Sequence, residues 1–215
     1  KGLTGIINGL DYTLWDPAKD KDIYKQFSPG NFKDKYINKA KLQEDNGLSV
    51  KKDAPLFGMV SRLAEQKGLD LMAQAIEGLI SHEDIQIIIL GTGEQKYHKI
   101  LEDLTKKYPH NLSLHLKFDN TLAHRIYAGS DIFFMPSRYE PCGLGQMIAL
   151  KYGAIPLVFK TGGLADTVSD ENGFIFDDYT KEAFIQTVKK SITAYKNKEK
   201  WEKLVMKAFT YNFSW

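Results

Sequence analysis

Five short apolar runs, separated by segments of helical periodicity, constrain the fold of this chain most. The runs "APLFGMV", "IQIIIL", "LSLHL", "DIFFM" and "IPLVF" lie at 54–60, 85–90, 112–116, 131–135 and 155–159. Strands that are apolar at nearly every position are buried on both faces, which is typical of a parallel sheet covered by helices. The alternation of strands and helices therefore predicts an α/β fold, a doubly wound, Rossmann-like parallel sheet.

The composition excludes several classes of partner. The chain has 215 residues, 43% of them hydrophobic and 26% charged, which is ordinary for a globular protein with a sizeable core. A net charge of only +2 gives no reason to expect nucleic acid or a membrane as a partner. The single cysteine, Cys142, rules out an intrachain disulfide and favours a reducing compartment. We therefore expect a cytoplasmic protein, or a plastid one if the source is a plant.

The two ends of the chain differ in pattern. Residues 1–53 form a loop-rich opening followed by a lysine-rich, helical lead-in without a strong strand. Residues 54–215 carry the alternating pattern and finish with helical stretches at 181–195 and 199–209. We interpret the second segment as a nucleotide-binding domain and the first as its lead-in.

Charged side chains follow the predicted strands, where open parallel sheets bind ligands. Arg62 and Lys67 follow the first strand, and the fork of an arginine with the point charge of a lysine suits a departing diphosphate. Glu140 follows the fourth strand and suits a cationic sugar transition state or sugar hydroxyls. A second interpretation stays open for each: a solvated helix entry for the two cations, and a first-turn helix acid for Glu140.

Two glycine turns and two single side chains are further candidates. The turns "PCGLGQ" at 141–146 and "TGG" at 161–163 offer backbone N–H groups to an anion, although ordinary tight turns have the same composition. Phe118 suits stacking on a nucleobase or a place in the core. Cys142 is either a thiol nucleophile or, more simply, a small buried residue.

Other nucleotide and metal motifs are missing. The segment "GTGEQK" has Lys96 where a dinucleotide fingerprint needs its third glycine. The five histidines show no metal-ligand spacing with one another. We therefore expect neither NAD nor a metal, and no other cofactor.

Four motifs together resemble a known family. The segments "GIINGLDYTLWDP" (5–17), "SRLAEQKGLD" (61–70), "SRYEPCGLGQM" (137–147) and "KTGGLADTV" (160–168) resemble bacterial glycogen synthases and plant starch synthases. These are retaining glucosyltransferases of the two-domain GT-B fold. The resemblance implies that ADP-glucose binds between two Rossmann-like domains. Its glucose then passes to the non-reducing end of an α-1,4-glucan, with retention of configuration and without a metal.

The resemblance also implies roles for individual residues. Arg62 and Lys67 correspond to the pair that neutralises the departing diphosphate, and Glu140 to the essential acid that contacts the glucose ring. The donor-binding residues implied by the same motifs are Asn8, Phe118, Cys142, Gly143, Leu144, Gly145, Thr161, Gly162 and Gly163.

The resemblance covers only the C-terminal, donor-binding half of the family's fold. The N-terminal, acceptor-side domain is absent from this sequence, so we expect the chain to bind ADP but to transfer no glucose by itself. Two alternatives stay open. One is another GT-B transferase that uses UDP-glucose, such as a sucrose or trehalose-phosphate synthase. The other is a non-catalytic nucleotide- or glycan-binding module.

Overall fold

Six parallel strands form the centre of the protein in the computed structural model, which describes residues 5–215. The strands are β1 (Leu56–Val60), β2 (Gln86–Leu90), β3 (Leu112–His115), β4 (Ile132–Met135), β5 (Ile155–Phe159) and β6 (Phe174–Phe176). Their order across the sheet is β3-β2-β1-β4-β5-β6, and every neighbouring pair is parallel. This order confirms the predicted doubly wound α/β fold.

Helices connect the strands and cover both faces of the sheet. They are α1 (Lys35–Asp45), α2 (Leu69–His82), α3 (Gln95–Lys107), α4 (Asn120–Gly129), α5 (Gly145–Lys151), α6 (Gly162–Thr167), α7 (Lys181–Lys196) and α8 (Lys198–Ala208). Short 3-10 helices lie at Pro29–Asp34 and Glu65–Lys67. Across residues 5–215 the model contains no helix with the length and hydropathy needed to cross a membrane.

Alternation along the strands divides most of the interior into two large cores, beside a small third cluster of Val158, Leu164 and Val168. Ile87 and Ile89 belong to the core under α2, α3, α7 and α8, whereas Ile88 and Leu90 belong to the core under α1, α4 and α5. Successive side chains of a strand point to opposite faces, so a sheet with helices on both sides needs apolar residues at every position. The apolar runs of the sequence are continuous because helices cover both faces of the sheet.

The predicted elements agree closely with the observed ones. Each of the five predicted strands is confirmed to within two residues at either end. The sixth strand, β6, was not predicted, because a three-residue edge strand shows no long apolar run. The "TGG" segment, predicted as a turn, includes the first residues of the short helix α6.

The lead-in segment packs on the sheet through a buried ion pair. The Nζ atom of Lys39 in α1 lies 2.7 Å from Oδ2 of Asp131, and both side chains are almost fully buried. Lys39 also donates to the carbonyl of Ala54 at 2.6 Å and to the hydroxyl of Tyr195 at 2.8 Å. Asp131 accepts the N–H of Leu56, the first residue of β1, at 2.8 Å. The division of the chain at residue 53 stays a prediction.

The strand order places a crevice next to β1. The chain runs outward from β1 to β3 and then returns through α4 to β4, on the other side of β1. Such a reversal leaves room beyond the carboxyl ends of the two central strands, where doubly wound folds bind their ligands. The functional site is therefore expected beyond β1 and β4.

The buried ion pair gives a first prediction. Replacing Lys39 with Met leaves the Asp131 carboxylate buried without a counter-charge, which we expect to lower the free energy of unfolding by about 3–5 kcal/mol. The control is Lys41→Met on the same helix, which removes an exposed pair with Glu44 and should change stability little. Denaturant unfolding of both variants measures the difference. Equal stability of the two variants would contradict the role given to Lys39.

Candidate functional site

Two adjoining cavities lie beyond the carboxyl ends of the central strands, the first next to β1 and β2 and the second next to β1 and β4. The first cavity, called the large compartment below, has a volume of about 410 Å³, and the second, the small compartment, has about 330 Å³. They share the wall residues Val60, Ser61, Arg62, Tyr127 and Ile148. One ligand with two chemically different halves can therefore occupy both.

Lys67 and Glu140 form an ion pair in the wall of the small compartment. The Lys67 Nζ atom lies 2.5 Å from Oε2 of Glu140, and the Ser137 hydroxyl donates to the same oxygen at 3.2 Å. Glu140 is only 8% exposed, so its carboxylate is shielded from bulk water. The pair joins the loop after β1 to the loop after β4 and fixes both charges at the cavity wall.

Arg62 lies on the border between the two compartments and is oriented by Gln66. An Arg62 N–H donates to Gln66 Oε1 at 2.9 Å, and the Gln66 amide donates to the carbonyl of Tyr139 at 3.3 Å. The backbone carbonyl of Gln66 accepts the N–H of Arg138 at 2.9 Å. Gln66 thus connects Arg62 to the loop that carries Glu140. Gln66 was not predicted as a site residue, although its position four residues after Arg62 was an available signal.

The other two arginines of the chain point elsewhere. Arg138 donates to Glu65 at 3.1 Å and lies over the Tyr179 ring at 5.3 Å. Arg125 donates to the Asp22 carbonyl at 3.1 Å. Arg62 is therefore the one arginine of the three that lines either compartment.

The large compartment has a mainly apolar wall with a polar rim. Phe118 lies at the rim with 90% of its surface exposed, so its ring is available to a ligand. Next to it, the Lys117 ammonium lies 2.8 Å from Asp119. The hydrogen bonds from Lys117 and from the Leu122 N–H hold the pKa of Asp119 below its ordinary value, so this carboxyl is ionised near neutral pH.

Glycines let the strand-end loops touch backbone to backbone. Gly68, with φ +81°, lies against the carbonyl of Pro136, and Gly162, with φ +42°, lies against the carbonyl of Glu140. A Cβ atom at either glycine would overlap the neighbouring carbonyl, and positive φ disfavours other residues. Gly163 approaches the carbonyl of Cys142 in the same way. The loops after β1, β4 and β5 are therefore held in fixed relative positions.

The predicted site residues fall into three groups. Gly143, Leu144 and Gly145 line the small compartment with Arg62, Lys67 and Glu140, whereas Phe118 lines the large one. Thr161, Gly162 and Gly163 lie behind the Glu140 loop, and the Gly163 N–H donates to the Glu140 carbonyl at 3.0 Å.

Asn8 lies outside both compartments. It lines a neighbouring groove together with Leu144, and its N–H lies 3.4 Å from Sγ of the half-buried Cys142. The donor-binding roles of all three groups stay predictions.

One group of potential metal ligands occurs within residues 5–215: Asp20, Asp22 and His124. Three of its polar atoms already bond to protein groups: Asp20 Oδ2 lies 2.7 Å from His124 Nδ1, and Asp22 Oδ1 accepts the Thr121 hydroxyl at 2.7 Å. The group is therefore explained by packing. The expectation that no metal is used stays a prediction.

Comparisons with known proteins identify the family. Residues 40–207 match the family model described as "Glycosyl transferases group 1". The chain belongs to the glycosyl transferase group 1 family. A glycogen synthase of Geotalea uraniireducens is 50% identical to it over 220 residues, which cover 99% of this chain and 45% of that protein. This group 1 chain thus spans about half the length of the curated relatives that it matches.

Solved structures support the same assignment. The catalytic domain of starch synthase IV from Arabidopsis thaliana, bound to ADP and acarbose, superposes with a TM-score of 0.92 at 36% identity. That match covers 98% of this chain and 46% of the plant chain. The C-terminal domain of a group 1 glycosyl transferase from Francisella tularensis shares the fold, with a TM-score of 0.66 at 17% identity over 94% of this chain and 95% of that one.

The glycine contacts of this glycosyl transferase chain give a second prediction. Gly162→Ala forces a side chain against the Glu140 carbonyl at positive φ, so we expect it to lower the free energy of unfolding by about 1–3 kcal/mol. The matched control is Gly78→Ala on the exposed face of α2, where an added Cβ meets nothing within 4 Å. There alanine should stabilise the helix by about 0.5–1 kcal/mol. Thermal unfolding of both variants measures the effect, and two stabilised variants would disprove the close loop contact.

Proposed function

We propose that this chain is the donor-binding part of a retaining glucosyltransferase of the glycogen and starch synthase type, with ADP-glucose as its donor. One observation carries the proposal. Arg62 lies between an apolar compartment and a second compartment whose wall carries the Lys67–Glu140 pair. A nucleotide sugar has the same sequence of chemical parts: an apolar base, a charged diphosphate and a polar sugar.

The donor is assigned to the two compartments by chemical match. The adenosine belongs in the large compartment, where the exposed Phe118 ring offers a stacking surface. The diphosphate belongs beside Arg62 and Lys67, and the glucose in the small compartment beside Glu140 and the glycines Gly143 and Gly145. Both compartments fall within the size range of small-molecule sites, about 300–1,000 Å³.

The charges fit the departure of a diphosphate. When the bond between C1 of glucose and the phosphate oxygen breaks, its electron pair goes to the ADP oxygen and positive charge develops on the sugar ring. Arg62 and Lys67 stabilise the growing negative charge, because such interactions strengthen as the bond breaks. The Glu140 carboxylate lies on the sugar side, where it stabilises the positive ring. It also holds Lys67 in place before the donor arrives.

These two cations give the diphosphate its counter-charge in the proposal, so we assign no metal or other cofactor to the donor site. The proposed acceptor is the 4-hydroxyl of an α-1,4-glucan: its oxygen bonds to C1 on the face that the phosphate leaves, and its proton passes to the departing phosphate oxygen. The location in the cytoplasm remains a prediction from the single cysteine.

Glucose transfer needs more than a donor-binding site. The matched relatives are about twice as long as this chain, and the matched starch synthase structure holds ADP and acarbose. Catalysis needs the acceptor placed against the donor and water excluded. We therefore assign donor binding to this chain and acceptor placement to the further length that the relatives have.

Calorimetric titration with ADP and then UDP tests the proposal. We expect ADP to bind more tightly than UDP. Arg62→Ala should weaken ADP binding by about 10- to 100-fold, because a charged hydrogen bond contributes about 1.5–3 kcal/mol. Arg138→Ala is the control, since Arg138 pairs with Glu65 outside both compartments. UDP binding more tightly than ADP would favour a UDP-glucose transferase, and binding insensitive to Arg62 would disprove the proposed site.

A further inference from the structure

Trp15 lines the large compartment although it comes from a distant part of the sequence. It lies in the lead-in segment, far in sequence from the strand-end motifs, and lines the compartment together with Tyr127 and Ile148. Its side chain is partly buried, so part of the indole remains accessible at the compartment. Trp15 belongs to the motif at 5–17, in which only Asn8 was given a role.

Aromatic neighbours fix the orientation of the Trp15 ring. The imidazole of His124 stacks on it with a centroid distance of 4.1 Å and an interplanar angle of 12°. Tyr127 and Tyr152 meet it edge-on at 5.5 Å and 6.3 Å. An aromatic side chain held on several sides presents the same surface to every ligand, so little side-chain entropy is lost on binding.

The stacked imidazole is itself held by a buried carboxylate. Asp20 Oδ2 lies 2.7 Å from His124 Nδ1 and accepts the Tyr152 hydroxyl at 2.5 Å, while Asp20 Oδ1 accepts the N–H of Asp22 at 2.8 Å. Burial raises the pKa of Asp20, but the hydrogen bonds from His124, Tyr152 and Asp22 outweigh it and keep the pKa below its ordinary value. Asp20 is therefore an anionic acceptor near neutral pH.

We infer that Trp15 is a nucleoside-contacting residue of the donor site and that the buried Asp20–His124 pair positions it. The inference rests on the proposed function, because the nucleoside is the part of the donor assigned to this compartment. It adds a fixed aromatic wall to the exposed Phe118 ring at the rim. The lead-in segment then forms part of the nucleotide site as well as packing on the sheet.

Tryptophan fluorescence provides a direct test, because the chain has three tryptophans in different settings. Trp201 is buried in α8, and Trp215 is 86% exposed at a separate groove. The experiment titrates this chain with ADP and excites at the red edge of the indole band, where adenine does not absorb. We expect ADP to change the emission of the wild type and of Trp215→Phe, and to leave the emission of Trp15→Phe unchanged.

Calorimetry on the same variants measures affinity. Trp15→Ala should weaken ADP binding about tenfold, as expected for the loss of one base-stacking aromatic surface. Asp20→Asn keeps the shape but removes the charge that holds His124, so it should weaken ADP binding and shift the Trp15 emission of the free protein. Asp45→Asn is the control, because Asp45 accepts the Tyr24 hydroxyl at 2.7 Å and does not line the compartment. Circular dichroism checks folding.

The outcomes separate this inference from the proposed function. Heat on ADP addition with no Trp15-dependent emission change would overturn the inference and leave the proposed function standing. No heat with ADP in the wild type would overturn both. Because Trp15→Phe keeps an aromatic ring, its fluorescence decides the inference even where the Asp20 variant is unfolded.

Discussion

The site depends on how closely neighbouring strand-end loops approach one another. Gly68 lies against the Pro136 carbonyl and Gly162 against the Glu140 carbonyl, so the loops after β1 and β5 both support the loop after β4. Such contacts are available only where no Cβ intervenes. They bring Lys67 within 2.5 Å of Glu140, although the two residues are 73 positions apart in the chain.

This approach gives Glu140 two physical effects at once. Its carboxylate balances the Lys67 ammonium in a largely buried place, which keeps a cation at the cavity wall without leaving it unpaired. The same carboxylate faces a compartment suited to a sugar. Arg62, in contrast, donates to the neutral amide oxygen of Gln66, so the positive charge of Arg62 remains available to an anion. Lys67 is thus paired with a carboxylate beside the sugar compartment, whereas Arg62 is free to bind an anion. This arrangement suits a ligand with a sugar at one end and a diphosphate in the middle.

The sequence was most informative where burial or topology leaves little choice. Ile87 to Leu90 predicted a strand because a sheet covered on both faces needs apolar side chains at each position. Arg62, Lys67 and Glu140 were predicted as neighbours because doubly wound sheets gather their strand ends. Trp15 was missed, since its importance comes from tertiary contacts with His124, Tyr127 and Tyr152. Gln66 was missed although its contact with Arg62 is local. The edge strand β6 was missed because it is short.

In the proposed glucosyltransferase, Lys67 acts with Arg62 on the departing diphosphate, and Glu140 stabilises the sugar ring. The most direct test measures the rate of glucose transfer from ADP-glucose to an α-1,4-glucan. It uses a protein as long as the matched relatives and compares the wild type with Glu140→Gln. Turnover should fall about a hundredfold or more, because charge stabilisation at the sugar is lost. ADP binding should stay the same or tighten, because Lys67 is released from its carboxylate partner. Unchanged turnover would contradict the account and favour a non-catalytic nucleotide-binding role for this site.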